Sequence, residues 1–466
     1  MYELTIPFNE TGPLYEQIYQ YIREQIRGER IQAGTKLPST RKLAEHLGVS
    51  RSTTQLAYDQ LVAEGYLEAE PCRGYFAAKL ETLHHPEPGP LRERKQKKEE
   101  APSFLVDFSP RGIDLEHFPY ALWRRLSRES LSDGNRELFS AGESKGDVVL
   151  RQAVCDYLYG ARGVRCRPEQ LVVGAGNEYL LMLLHQILGH QVIAMETPTY
   201  LQAFLTFERL GHRVVPVPMD GSGMKREELS ASGAKIAYVM PSHQFPTGIV
   251  MPIRRRMELL SWAAEEEGRY LIEDDYDSEF RYRGKPIPSL QSADAKGRVI
   301  YLGSFSRAVA PAIRVSYMML PEPLWALYEK NCSFYASTVS RIDQRILARF
   351  LGEGHYERHL NRMRGIYRAK HDALLAALSP LADEFDVSGE HAGIHILLHS
   401  KKGRTEQELV RAAMEAGVRI YGLSEFDIGG LGQKEGTGTV LLGYASLSGE
   451  EIEQGAKILS AALSSC

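Results

Sequence analysis

Cysteine is scarce in this chain: five residues in 466, Cys72, Cys155, Cys166, Cys332 and Cys466. None stands at a metal-clasping spacing, and they are too scattered for a disulfide framework, so reduced thiols in a cytoplasmic protein are expected. Long apolar runs are missing as well. The most apolar stretch, Leu180 to Leu188, is interrupted by His185. It falls short of the ~20 residues a membrane helix needs. The opening residues, MYELTIPFNE, lack the basic segment followed by an apolar one that marks a secretory signal. Nor does one sign of charge dominate. A net charge of -4 excludes wholesale binding to polyanions but leaves room for a local basic face. His84 and His85 are adjacent with no ligand partner nearby, so no metal is expected.

What is present begins with a helical stripe. Leu14, Ile18, Ile22 and Ile26 recur every four residues between Pro13 and Arg27. Ser39 can cap a second helix that turns Leu43, Ala44 and Leu47 inward and stops at Gly48. Ser50 can cap a third, with Leu56, Ala57 and Leu61 on its buried side. Two helices joined through Leu47-Gly48-Val49-Ser50 read as a helix-turn-helix. A hairpin follows, Tyr66 to Ala69 and Gly74 to Ala77, with Arg73 and Gly74 at its tip as a wing. The third helix opens with Ser50, Arg51, Ser52 and Thr53, short donors and one cation at a helix start, which suits phosphates and base edges. Residues 1–80 hold 9 basic and 10 acidic side chains, so any DNA footprint is a local patch.

Residues 80–103, with HHPEPGP and LRERKQKKEEAPS, carry too little apolar surface to pack and read as a charged, flexible linker. This divides the chain into 1–79, 80–103 and 104–466. From Phe104 onward helices alternate with short apolar strands, the pattern of an α/β domain built on a mostly parallel sheet. Gln170 to Glu178 is a strand, a small-residue turn around Gly176, and a helix start at Asn177 and Glu178, where backbone N–H groups bind anions.

The most informative stretch is Arg269 to Leu320. Tyr270-Leu271-Ile272 is an apolar strand ending in Glu273-Asp274-Asp275, and Val299 to Leu302 is another ending in Gly303-Ser304-Phe305-Ser306. Acids and hydroxyls where parallel strands end build ligand sites in open sheets. Alternation places Asp274 and Tyr276 on one side, suited to the nitrogen and hydroxyl of a pyridine ring. Ser304, Ser306 and Arg314 can hold a phosphate.

These segments resemble the MocR-type transcriptional regulators, in which a GntR-type winged helix-turn-helix is fused to a fold-type I aminotransferase-like domain. The resemblance rests on Leu37-Pro38-Ser39-Thr40-Arg41 through Gly65-Tyr66-Leu67, on Asp274 to Phe280, on Ser304-Phe305-Ser306, and on the proline-glycine turn Pro241 to Gly248. It runs from Pro13 to about Leu463 and implies a large domain with a small C-terminal α+β subdomain. By resemblance, Arg41, Ser50, Arg51, Ser52, Thr53, Arg73 and Gly74 contact operator DNA. Gln55 stands where some relatives carry a further arginine.

The family binds pyridoxal 5'-phosphate, and the positions carried over are Gly176, Asn177, Glu178, Tyr200 (ring stacking), Gln244, Asp274, Tyr276, Ser304, Ser306, Arg307 and Arg314. Either His243 or Gln244 supports the ring hydroxyl. The lysine that holds the cofactor covalently in the family is replaced by Arg307. A guanidinium keeps its proton at any working pH and offers no amine nucleophile. The arginine that many aminotransferases place before the last strand's Leu-Gly is also missing, since Thr439 to Gly443 contains none and no arginine follows Arg419. The resemblance thus implies a regulator whose second domain senses an amino acid, an amine or a cofactor adduct and forms a homodimer, plausibly domain-swapped. The cofactor is expected to be noncovalent or absent. The competing reading is a working aminotransferase with a DNA-binding appendage.

Overall fold

The computed structural model describes residues 4–9, 12–80, 104–282, 287–389, 392–430 and 438–464. Apart from Leu80, the expected linker lies outside them, as do Lys285 and Cys466. Two compact units divide the chain, 1–99 and 100–466.

The first unit is a winged helix-turn-helix. Helix α1 (Leu14–Arg27) buries Ile18, Tyr19, Ile22 and Ile26, while Leu14, at its open first turn, stays 42% exposed. Each fully buried aliphatic side chain contributes roughly 1.5–3 kcal/mol, so this stripe is what holds the helix to its neighbours. Helix α2 (Thr40–Leu47) is capped by Ser39, whose hydroxyl accepts from the Lys42 N–H at 3.3 Å, and ends at Gly48 with φ 64°. Helix α3 (Arg51–Ala63) is capped by Ser50, which accepts from the Thr53 N–H at 3.1 Å. Its buried face is Thr54, Ala57, Tyr58 and Leu61. Leu56, expected inside, is 57% exposed. The reason is geometric: positions 54, 57, 58 and 61 already complete one helical stripe, and 56 falls nearly opposite it. Thr54 donates to the Thr40 carbonyl and Tyr58 to that of Pro38, fixing α3 against the α2 end. Strands β1 (Leu67–Glu70) and β2 (Gly74–Ala77) pair antiparallel around a tip where Cys72 and Gly74 have φ 63° and 111°.

The second unit begins with β3 (Val106–Asp107). Its main sheet contains β4 (Leu171–Gly174), β5 (Val192–Thr197), β6 (Arg213–Asp220), β7 (Gly223–Met224), β8 (Ile236–Val239), β9 (Tyr270–Asp275), β10 (Val299–Ser304) and β11 (Ser316–Met319). Their order is β4-β11-β10-β9-β8-β5-β6-β7, with parallel pairing from β10 through β6 and β11 antiparallel to both its neighbours. Alternate residues serve opposite faces: Ile300 and Leu302 pack in one core cluster and Tyr301 in another. That two-sided burial is why these strands read as continuous apolar runs. The smaller sheet joins β12 (Phe385–Ser388), β13 (His395–Ser400), β15 (Tyr421–Gly422) and β16 (Thr439–Gly443), while β14 (Val418–Arg419) pairs with β3. No helix among the described residues is long and apolar enough to cross a membrane.

Candidate functional site

The strand ends open onto one cavity lined by Asn177, Glu178, Tyr200, Asp274, Tyr276, Ser304, Ser306, Arg307 and Arg314, together with Met240, Phe245 and Gly303. Nine of the positions expected from the sequence therefore converge. The acids ending β9 divide by alternation. Glu273 turns away and accepts from the Leu290 and Gln291 N–H groups at 2.7 and 2.8 Å. Asp275 pairs with Arg162 at 2.8 Å and accepts from the Tyr301 hydroxyl. Asp274 alone of the three faces the cavity, with Tyr276 beside it.

Burial pushes the Asp274 carboxyl up to about 6, against the pull of hydrogen bonds from the Tyr238 hydroxyl and the Asn177 amide. A buried acid held up in this way is suited to meet a cation. Tyr238 was invisible as a site residue because it sits mid-strand in β8, where an aromatic reads as core.

At the opposite end, the Ser304 hydroxyl accepts from the Ser306 N–H at 3.1 Å and from the Ser316 hydroxyl at 3.0 Å. Gly176 has φ 97°, and a Cβ there would collide with the Arg314 guanidinium, so only glycine lets the turn lie under that cation. Gly176 thus shapes the cavity from behind and does not line it. Arg314, itself left-handed at φ 51°, donates to Glu178 at 2.7 Å. Glu178 stands in the first turn of the helix Asn177–Leu188. Arg307 lines the cavity and donates to the Pro110 carbonyl at 2.9 Å. None of the lining residues is a lysine.

The turn after β8 separates two neighbours. His243 is buried, its Nδ1 lying 3.0 Å from the Tyr276 hydroxyl and 2.9 Å from Asp277 Oδ2. Gln244 turns the other way: its amide donates to the Pro198 carbonyl at 2.8 Å, and its oxygen accepts from the Thr247 N–H at 3.0 Å. Gln244 therefore braces the turn and stays off the cavity, and His243 is the residue that touches the phenol. Phe245, missed in the sequence, meets both Tyr276 and Tyr200 edge-on.

In the first unit Arg41, Ser50, Arg51, Ser52 and Arg73 are exposed, with Thr53 and Gly74 half-buried. Arg41 pairs with Glu45, and Arg73 with Glu70, while also lying over the Phe76 ring. Among the described residues Arg51 has no ion-pair partner. Ser50 is engaged as a cap and contacts the Ser52 and Thr53 hydroxyls at 2.7 Å each. Gln55 is drawn to Asp59 at 2.7 Å and to the wing's Tyr75 at 3.2 Å.

Comparison with known proteins gives the same two units. Residues 14–76 match the family described as bacterial regulatory proteins, gntR family, and residues 117–459 match aminotransferase class I and II. The chain is 40% identical to the uncharacterized HTH-type transcriptional regulator YdeL of Bacillus subtilis, covering 97% of this chain and 96% of that one. It is 30% identical to the probable rhizopine catabolism regulatory protein MocR of Rhizobium meliloti, covering 97% and 94%. Among solved structures, the α-aminoadipate aminotransferase LysN of Thermus thermophilus, complexed with N-(5'-phosphopyridoxyl)-L-leucine, superposes with a TM-score of 0.67 at 27% identity, covering 77% of this chain and 92% of that one.

Proposed function

The chain belongs to the MocR-type HTH transcriptional regulators, GntR-type DNA-binding proteins with an aminotransferase-like effector-sensing domain, and from that premise we propose that its cavity holds pyridoxal phosphate, or the adduct of that cofactor with an amino acid, without a covalent bond to the chain. The observation that carries this reading is the convergence of Asp274, Tyr276, Ser304, Ser306, Arg314 and Arg307 on one cavity with no lysine in its lining. The donor set fits the group. Asp274 is the partner for a cationic ring nitrogen, and Tyr276, backed by His243, is the partner for the ring hydroxyl. Tyr200 and Phe245, which line the same cavity, would take the faces of the ring. Ser304, Ser306, Arg314 and the N–H groups at Asn177 and Glu178 suit the phosphate.

Pyridoxal phosphate supplies an electrophilic aldehyde when bound, and Arg307 offers it a bidentate donor in place of a nucleophile. The second unit then works as a sensor and dimerisation domain, with no turnover. The proposed homodimer acts on operator DNA in the cytoplasm. The test is titration of purified protein with pyridoxal phosphate, followed spectroscopically with and without borohydride. Saturable binding that leaves no borohydride-fixed group on the chain is expected. Efficient amino-acid turnover by the unmodified protein would overturn the reading.

A further inference from the structure

We propose that Cys155 and Cys166 form a dithiol that a hydroperoxide closes into a disulfide, a covalent modification site on the aminotransferase-like unit. Cys155 lies in the helix Val148–Arg162, buried among Leu150, Val154 and Leu158. The helix ends at Gly163, whose left-handed φ of 70° reverses the chain, and the Val164 N–H returns to the Leu158 carbonyl at 3.3 Å. Val164 buries itself, and the segment runs back along the helix until Cys166 stands over Cys155 with the two sulfurs 3.1 Å apart. A disulfide needs about 2.0 Å between sulfurs, so side-chain rotation over roughly 1 Å closes the gap.

The two thiols differ in access. Both sulfur-bearing residues line one open surface cavity with Gln152, Asp156 and Tyr159, but Cys166 is half-buried there whereas Cys155 is 5% exposed. Their contact also divides their acidity: the hydrogen bond with Cys155 holds the Cys166 thiol below its usual range, while the same bond and burial push Cys155 up. Cys166 is thus the attacking sulfur and Cys155 the resolving one. The Cys166 thiolate attacks one peroxide oxygen, the O–O bond breaks, and the departing oxygen leaves as water or alcohol, with Cys166 as sulfenic acid. The Cys155 thiol then attacks the Cys166 sulfur, the S–O bond breaks, and a second water leaves. In total two thiols are oxidised, one peroxide is reduced, and two protons end in the products. Arg162, the last residue of the same helix, holds Asp275 beside Asp274, so the cross-link fixes the segment directly behind the ligand cavity.

The experiment uses full-length protein carrying Cys72→Ser, which removes the exposed wing thiol, treated with hydrogen peroxide and mapped by peptide mass spectrometry without reduction. A peptide pair joined through positions 155 and 166, lost on reduction, is expected. Adding Cys155→Ser should stop the reaction at a sulfenic acid on Cys166 that dimedone labels. Adding Cys166→Ser should leave Cys155 unmodified at the same peroxide dose. Oxidation of both cysteines to separate higher acids with no cross-linked peptide would overturn the proposal, as would two unreacted thiols after exhaustive treatment with either peroxide or diamide.

Discussion

Arg314 donates to the Glu178 carboxylate at 2.7 Å, so the cation best placed for a phosphate already has a carboxylate partner. Both side chains are about half exposed, at 52% and 44%, so the pair is worth at most ~1 kcal/mol. A dianionic phosphate replacing Glu178 must displace that pair and tolerate the carboxylate nearby.

Glu178→Gln should therefore tighten binding of pyridoxal phosphate modestly, by about two- to fivefold, in keeping with the small worth of an exposed pair. Arg314→Ala should weaken it by more. Fluorescence titration of both variants decides the matter: equal or weaker binding by Glu178→Gln would mean that its carboxylate does not compete with the phosphate.

The Asp274 carboxyl gives a pH signature. Its value rises from 3.8 to about 6 on burial, so the folded chain binds this proton more tightly than the unfolded one. The associated stability is fully present below the ordinary value and is lost as pH rises through about 6. Asp274→Asn carries no such proton. Relative to that variant the parent should gain up to roughly 3 kcal/mol as pH falls from 7 towards 4, the equivalent of about two pK units at this buried site. Denaturant melts across that range measure the difference. A cationic ring nitrogen favours the ionised carboxylate, so pyridoxal phosphate affinity should drop below about pH 6 in the parent and be weak throughout in the variant. A difference between parent and variant that stays flat with pH would remove Asp274 as the titrating group.

The DNA-facing prediction rests on the contrast among three arginines. Arg41 and Arg73 have acidic partners, and Arg51 has none among the described residues. Arg51→Ala should cost ~1–3 kcal/mol if it reads a guanine edge, concentrated at one base position. Arg73→Ala should weaken binding evenly across sequences and reduce its salt dependence. Fluorescence anisotropy on an operator selected from random-sequence DNA checks both. Parent-like affinity in both variants would remove α3 and the wing from the interface.

How far the sequence carried the site follows from where its signals are local. The acid and hydroxyl clusters at the ends of β9 and β10 announce themselves by breaking apolar runs, and both helix caps in the first unit are readable from one serine each. What escaped depends on distance in the chain or on direction. Tyr238 reaches Asp274 across 36 positions, and nothing in Ile236–Val239 marks its hydroxyl as functional. His243 and Gln244 are consecutive, so no spacing rule distinguishes which faces the phenol. Hydropathy alone places Leu56 inward, but the stripe formed by Thr54, Ala57, Tyr58 and Leu61 closes that face without it. The Glu178–Arg314 pair spans 136 positions and exists because the helix start and the left-handed Arg314 meet over Gly176.

Arg307 isolates the question of covalency. Arg307→Lys replaces a delocalised cation with an amine that desolvation can leave neutral and nucleophilic. If Asp274, Tyr276, Ser304, Ser306 and Arg314 cradle the ring and phosphate, the variant should acquire a pyridoxyl group at position 307 that borohydride fixes, whereas the parent acquires none. Peptide mapping reads this directly. Restored bonding should not restore transamination, because β16, Thr439–Gly443, supplies no arginine to orient a substrate carboxylate. Misorientation forfeits much of the proximity contribution. Absence of the fixed group in the variant, despite tight noncovalent binding in the parent, would mean that the aldehyde lies out of reach of position 307 and that the ligand sits differently from the arrangement drawn around Asp274.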